Sequence, residues 1–151
     1  MSDVTIKIAR SVDAPTVARL VHALLDELSG GQAQPLDSLT ATTAKVLQDP
    51  GVVALLAERN AETVGVLILN ECMAIYAGGK FGEISELYVT PDARSQGAAR
   101  DLLDAARQVA NDRNWPRLEV GAPDQPRWAR TLNFYLNNGF QEVGPRLRLL
   151  L

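Results

Sequence analysis

The spacing of apolar residues divides the chain into segments of strand and helix. Residues 5–9 alternate between apolar and polar side chains, which predicts a first strand. The capping residues and early proline of segment 11–15 predict a helix start, and Gly30-Gly31 predicts its end. Between these points the apolar residues recur at helical steps on one face: Val17, Leu20, Val21, Leu24, Leu25 and Leu28. A second, less apolar helix is predicted at residues 37–48.

The middle of the chain predicts a run of strands followed by a helix. Segments 52–58 and 63–70 are apolar and β-branched, and the residues between them predict a hairpin. Gly78-Gly79 predicts a second turn into a strand at 81–89, so the first four strands form an antiparallel meander. A helix that starts after Gly97 and ends near Asn114 leads to a short strand at 117–120. Because a strand–helix–strand unit of this length pairs its strands in parallel, the sheet as a whole becomes mixed.

The C-terminal part predicts a last helix at 127–138, which Gly139 ends, and two closing strands at 140–143 and 147–151. A chain of 151 residues buries enough surface for one core. We therefore predict a single domain over residues 1–151. Its fold class is α/β (α+β), with a mixed, mostly antiparallel central sheet flanked by helices.

Composition and charge narrow the classes of function. With 46% hydrophobic and 22% charged residues the chain is typical of a folded domain, and its net charge of −3 argues against a nucleic-acid surface. No apolar run has the length of a signal peptide core or a membrane span, so we expect no membrane association and a cytoplasmic location. Cys72 is the single cysteine, which excludes an internal disulfide and a multi-cysteine zinc site. We expect it to be a packed strand residue.

The segment from the strand at 81–89 into the following helix predicts an anion site. The start of a helix leaves about four backbone N–H groups without partners, and the helix dipole adds positive charge there. Gly97 lets an anion approach the backbone closely, Ala98 and Ala99 keep the entrance small, and Arg94 supplies a forked cation. This arrangement is typical of a seat for a pyrophosphate.

Two blocks of sequence resemble the GNAT family of N-acetyltransferases. The first is Arg94-x-x-Gly97-x-Ala99, preceded by Val89-Thr90-Pro91 as in the acyl-CoA loop of that family. The second is Phe134-Tyr135-x-x-x-Gly139-Phe140, which is similar to a segment near the family's C-terminus. Together with the order of elements, the two blocks extend the resemblance over essentially the whole chain. The resemblance implies the acyl-CoA N-acyltransferase fold, acetyl-CoA as cosubstrate and no metal.

The resemblance also implies which residues contact acetyl-CoA. Backbone groups of Leu87 and Val89 would pair with the pantetheine amides like an added strand. Many family members carry an asparagine where this chain has Trp128, and Asn133 is the candidate substitute. Arg127 and Arg130 are further candidates for the CoA phosphates. The full set of expected cofactor contacts is Leu87, Tyr88, Val89, Arg94, Ser95, Gln96, Gly97, Ala98, Ala99, Arg100 and Asn133.

Two residues are candidates for catalysis. An amine with a pKa of about 10.4 is almost fully protonated at neutral pH, so a nearby carboxylate must take its proton, directly or through water. Glu86 is the candidate base, with Glu83 and Ser85 as alternatives. The resemblance places Tyr135 where the family has the acid that meets the departing thiolate.

These features predict transfer of acetyl from acetyl-CoA to a primary amine by direct attack in a ternary complex. A small cationic metabolite is the expected acceptor, and a protein N-terminus or lysine is the alternative. The alternative hypothesis for the function is a non-catalytic acyl-CoA-binding regulatory module. The apolar residues 149–151 predict pairing within the sheet or in a homodimer interface.

Overall fold

The computed structural model describes residues 3–151. Its main elements, in chain order, are β1 (Thr5–Ile8), α1 (Ala14–Ser29), α2 (Leu36–Val46), β2 (Val52–Arg59), β3 (Glu62–Ala74), β4 (Gly79–Val89), α3 (Ala98–Asp112), β5 (Leu118–Val120) and α4 (Ala129–Asn137). The chain divides into two compact units, one ending at Glu119 and one formed by Val120–Leu151. The single-domain organisation therefore stays a prediction.

The five strands form one sheet in the order β1-β2-β3-β4-β5. Strands β1 to β4 pair antiparallel, each with the next, which confirms the predicted meander. The turn between β2 and β3 is Asn60-Ala61, and both residues have positive φ, as the twist of a two-residue hairpin requires. The sheet as a whole is mixed, so the predicted fold class is confirmed.

Helices α1 and α2 cover one face of the sheet. The apolar stripe predicted for α1 contributes to a hydrophobic cluster between this helix and the sheet. Val17, Leu20 and Val21 are its buried residues on α1. The strand residues of the same cluster are Ala54, Leu56, Val66, Ile68 and Tyr88. This cluster brings α1 against the middle of β3 and the end of β4.

Helix α3 covers the opposite face. Side chains of a strand alternate between faces, so Gly65 and Leu67 lie on the side away from Val66. A Cβ atom at Gly65 would stand 3.1 Å from Cδ1 of Leu102 on α3, so the missing side chain allows this close approach. Leu102 is fully buried, like its neighbour Leu103.

Trp115 packs against the sheet near the start of β4. Its ring occupies the space above Gly82, where a Cβ atom would come within 2.4 Å of Cε3 of the indole. The indole N–H donates to the carboxylate of Glu71 at 2.9 Å, and this hydrogen bond lowers the pKa of Glu71. The backbone N–H of Gly82 donates to the carbonyl of Arg117 at 3.1 Å, which links β4 to the segment that leads into β5.

The two closing strands predicted at 140–143 and 147–151 are wrong. Residues 140–151, all of which the structure describes, contain neither helix nor strand. Gly144 has a φ of +127°, and Pro145 after it has no N–H to give to a ladder. The leucines at 147 and 149–151 are each at least 77% exposed, so their pairing within the sheet is also wrong. An apolar run specifies a strand only where a neighbouring strand is available to pair with it.

Candidate functional site

The predicted phosphate loop forms the connection between β4 and α3. A short turn of 3₁₀ helix at Pro91–Ala93 is followed by four turn residues, of which Ser95 and Gly97 have positive φ. Gly97, at +92°, is the N-cap of α3 and gives the helix no side-chain cap. The N–H of Asp101 donates to the carbonyl of Gly97 at 3.0 Å, as the first hydrogen bond of the helix.

The start of α3 therefore has the donors that an anion needs. The amides of Ala98, Ala99 and Arg100 precede that first hydrogen bond and have no acceptor within the helix. Ala98 is buried and Ala99 is half-buried, so the first two residues of the helix place only methyl groups beside these amides. A diphosphate fits this arrangement of N–H groups and helix dipole.

The strand residues predicted to contact acetyl-CoA lie at the end of β4. Leu87, Tyr88 and Val89 pair with β3 along one edge of the strand. The hydrogen bond from β4 toward β5 is at Gly82, seven residues before Val89. The end of β4 runs directly into the loop, and the contacts of these residues with acetyl-CoA stay a prediction.

Arg94 extends from the loop toward α1. Its Nε donates to the carbonyl of Val89 at 2.9 Å, and its Nη2 donates to a carboxylate oxygen of Glu27 at 2.6 Å. The guanidinium carbon lies 5.3 Å from the centre of the Tyr88 ring. Burial, and then the neighbouring Glu27 carboxylate, raise the pKa of the Tyr88 phenol. Arg94 therefore links the predicted phosphate loop to α1.

Gln96 is fixed by residues on both sides of the loop. Its side-chain oxygen accepts a hydrogen bond from Arg59 at 2.6 Å, and its side-chain nitrogen donates to the carbonyl of Asp92 at 3.3 Å. A second nitrogen of Arg59 lies 4.0 Å from the carboxylate of Asp92. The last residue of β2 thereby holds the outer turn of the loop.

A polar cluster occupies the middle of β4. The register shifts between Ile68 and Leu69 of β3, which leaves Ser85 as the extra residue of a β-bulge. The amide of Asn70 donates to the Ser85 hydroxyl at 2.8 Å, and that hydroxyl donates to the carboxylate of Glu86. Because the Ser85 hydroxyl donates its proton to Glu86, the Glu86 carboxylate is the last acceptor in this series of hydrogen bonds.

Glu86 lies on the face of the sheet that α1 and α2 cover. It pairs across the sheet with Ile68, which belongs to the cluster under those helices. Its partly exposed side chain is thus on the same side as Tyr88. Glu83, the alternative base, pairs with Asn70 one step beyond the bulge. The three candidate bases are therefore near neighbours on one strand.

Tyr135 lies on α4, in the smaller unit. Its ring is buried and makes edge contacts with Phe134 and Phe140, at centroid distances of 5.5 and 5.3 Å. Burial disfavours the phenolate and raises the pKa of Tyr135 to about 12. The group therefore keeps its proton throughout the neutral range.

The other predicted residues of the smaller unit lie at the surface of α4 or at its start. Asn133 is exposed, and Trp128, half-buried, is the N-cap residue of the helix. The guanidinium of Arg127 lies 5.2 Å from the centre of the Trp128 ring.

A polar cleft of about 490 Å³ lies near the loop but includes none of the predicted site residues. It is lined by Thr16, Arg19, Ala61, Glu62, Thr63, Val64, Thr90 and Asp92. In the part of the chain that the structure describes, no three His, Cys, Asp or Glu residues are grouped as a metal ion requires. Within the same part, no helix is long and apolar enough to cross a membrane.

Three contact residues of the site were missed by the sequence analysis: Glu27, Arg59 and Asn70. Their partners Arg94, Gln96 and Ser85 are 67, 37 and 15 residues away along the chain. No local pattern marks such pairs. For Asn70 alone the sequence held a signal, because the predicted pairing of β3 with β4 places this residue close to the middle of β4.

Comparison with known proteins supplies the family. The model of the acetyltransferase (GNAT) domain matches residues 50–142, which include β4, the loop and α4. An uncharacterized N-acetyltransferase, YhfO, of Bacillus subtilis (strain 168) is 29% identical over 91% of this chain and 89% of its own length. The aminoalkylphosphonate N-acetyltransferase of Salmonella typhimurium is 31% identical over 81% of this chain and 77% of its own length.

Solved structures agree with the fold. A predicted acetyltransferase with acetyl-CoA from Clostridium acetobutylicum has a TM-score of 0.78 and 20% identity, and the match covers 97% of this chain and 96% of that protein. At this identity the match shows the fold alone. The family match and the curated relatives carry the activity: this chain belongs to the acetyltransferase (GNAT) domain family and is an acyltransferase enzyme.

Proposed function

We propose that the protein transfers the acetyl group of acetyl-CoA to the primary amine of a small cationic metabolite, by direct attack in a ternary complex. The observation that carries the proposal is the arrangement along β4. This one strand holds the Glu86 carboxylate at its middle and leads, three residues later, into a loop with free helix N–H groups. At about 3.3 Å per residue, Glu86 is roughly 10 Å from the strand end along β4.

The loop and the end of β4 are the proposed binding surface for acetyl-CoA. The amides at the start of α3 hold the diphosphate, and Arg94 and Arg100 add positive charge beside them. Backbone groups of Leu87 and Val89 hold the pantetheine arm, and Ser95 to Ala99 shape the turn. Asn133 and Tyr88 complete the proposed contacts. Acetyl-CoA supplies an activated acetyl thioester. The residues of this chain orient the thioester, take the proton of the amine and stabilise the departing thiolate.

Glu86 is the proposed general base. Reaching the neutral amine at pH 7 costs roughly 4 to 5 kcal/mol when the amine pKa is about 10.4, so removing the proton at the site is worth on the order of 10² to 10⁴ in rate. The direction of the hydrogen bonds from Asn70 through Ser85 to Glu86 supports the carboxylate over the serine hydroxyl. Ser85 is then a positioning residue that orients the carboxylate.

Tyr135 is proposed to donate a hydrogen bond to the departing thiolate. A thiol pKa near 8.5 is about 3.5 below the value of about 12 for this phenol, so full proton transfer is uphill by about 5 kcal/mol. A hydrogen bond stabilises the thiolate without this cost. Tyr135→Phe should therefore lower kcat while the KM for acetyl-CoA changes little.

The acceptor class rests on charge and on the curated relatives. The chain has a net charge of −3, which favours a cationic ligand over an anionic one. The relative that is 31% identical is an aminoalkylphosphonate N-acetyltransferase, which supports a small-molecule amine as the acceptor. Because a phosphonate is anionic, the positive charge of the proposed acceptor rests on the net charge of this chain alone.

The test combines binding with a product screen. Acetyl-CoA is titrated into the protein by calorimetry, and a panel of small amines, an N-terminal peptide and a lysine peptide is then screened by mass spectrometry. Glu86→Gln should bind acetyl-CoA like the wild type and lose about 10²- to 10⁴-fold in turnover. Glu83→Gln on the same strand is the matched control and should keep its activity. Loss of turnover in the Glu83 variant alone would transfer the base to that residue, and no acetyl-CoA binding would refute the proposal.

We also propose that the exposed leucines at 147 and 149–151 are covered in a homodimer. Contiguous exposed apolar side chains of this size are typical of an interface. The cytoplasmic location stays a prediction.

A further inference from the structure

Arg94 already has an anionic partner on α1. The Nη2 atom of its guanidinium donates to Glu27 at 2.6 Å, while Nε is held by the carbonyl of Val89. A phosphate that binds arginine in the forked geometry uses two neighbouring N–H groups of the guanidinium. With Nε engaged by the backbone, the outer edge formed by the two Nη atoms is the edge that a phosphate would use. Glu27 and a diphosphate therefore need the same nitrogen.

The ion pair is suited to exchange. The side chains of Arg94 and Glu27 are 41% and 34% exposed, so water screens their attraction and the pair contributes little stability. A diphosphate carries more charge than one carboxylate and is also bound by the amides at the start of α3. The backbone bond from Nε and the contact with the Tyr88 ring keep the guanidinium beside the loop during such an exchange.

We propose that Glu27 sets the affinity for acetyl-CoA by competing with its diphosphate for Arg94. This inference rests on the proposed function, because it requires the loop to bind the diphosphate. Glu27 is released from Arg94 when the diphosphate binds, and its carboxylate keeps the Tyr88 phenol as a hydrogen-bond partner. The negative charge of Glu27 thus lowers the affinity of a site built for an anion, and its removal tightens binding.

The chain offers a matched control for the charge change. Asp26 is adjacent on α1, and its carboxylate accepts a hydrogen bond from the N–H of Ala33 at 3.3 Å instead of contacting Arg94. Asp26→Asn removes the same charge from nearly the same place. Any long-range effect of net charge should appear equally in both variants.

The experiment is a double-mutant cycle measured by calorimetric titration of acetyl-CoA. Glu27→Gln should bind about two- to five-fold more tightly than the wild type, the range expected for release from an exposed ion pair. Asp26→Asn should bind like the wild type. In an Arg94→Gln background, Glu27→Gln should give no gain, since the group that is competed for is gone. S-acetylpantetheine, which lacks the diphosphate, should bind the wild type and Glu27→Gln equally.

Each outcome decides the proposal. Unchanged or weaker acetyl-CoA binding by Glu27→Gln, an equal gain in Asp26→Asn, or a gain that persists without Arg94 would overturn the competition. Failure of the wild type to bind acetyl-CoA would instead refute the proposed function, and the competition with it. Thermal melting of all variants identifies any that fail to fold. A gain in affinity cannot come from a damaged fold.

Discussion

The buried phenol of Tyr135 accounts for a defined part of the dependence of stability on alkaline pH, and a variant that lacks this one hydroxyl isolates that part. The folded protein holds this proton up to a pKa of about 12, whereas the unfolded chain releases it at the ordinary value of 10.0. Between these values the folded state binds one proton more than the unfolded state, so the free energy of unfolding falls as the pH rises. The contribution is fully present below pH 10 and is lost as the pH approaches 12.

The size of this loss follows from the pKa difference. One pKa unit corresponds to 1.36 kcal/mol, so Tyr135 accounts for a loss of about 2 to 3 kcal/mol between pH 10 and 12. Tyr135→Phe removes the hydroxyl and keeps an aromatic ring for the edge contacts with Phe134 and Phe140. The variant should therefore lose less stability over this range than the wild type, by that amount.

Urea unfolding at pH 8, 10 and 11, followed by far-ultraviolet circular dichroism, measures the difference. By pH 11 the gap between wild type and variant should have changed by about 1 to 1.5 kcal/mol from its value at pH 8. Tyrosinate absorbance gives a second readout, because the difference between wild type and variant reports the titration of Tyr135 alone. Parallel stability profiles, together with a difference titration centred near pH 10, would refute the assignment.

Two further predictions concern packing and assembly. Gly82→Ala should lower stability by about 1 to 3 kcal/mol, because the new Cβ meets the Trp115 ring at 2.4 Å; a melting temperature within a degree of the wild type would contradict this packing. Truncation before Leu147 should reduce the mass measured by light scattering from that of two chains to that of one, and a full-length protein that is already a single chain would refute the homodimer.

The order of strands and helices could be predicted because it depends on the spacing of apolar and polar residues within each short segment. The apolar stripe of α1 and the glycines that end it are properties of neighbouring residues, and so is the hairpin at Asn60-Ala61. The tail after residue 140 could not be predicted in this way. Its apolar residues look the same whether a partner strand is present or not, and the partner is a property of the whole fold.

The candidate site likewise has one part that local sequence predicts and another that depends on the whole fold. The loop from Arg94 to Gly97 was predicted from a continuous segment, and the structure gives it the turn and helix start that the segment requires. The Ser85 bulge depends on the register between two strands, and the Glu27 partner of Arg94 depends on how α1 packs. Both are tertiary facts, so local sequence contains no record of them.

The two tryptophans give each compact unit its own fluorophore. Trp115, buried against Gly82 and bonded to Glu71, belongs to the larger unit, and half-buried Trp128 at the start of α4 belongs to the smaller one. Variants that keep one indole each would report the melting of the two units separately. Coincident transitions would mean that the two units unfold cooperatively, and separate transitions would mean that one unit melts while the other stays folded.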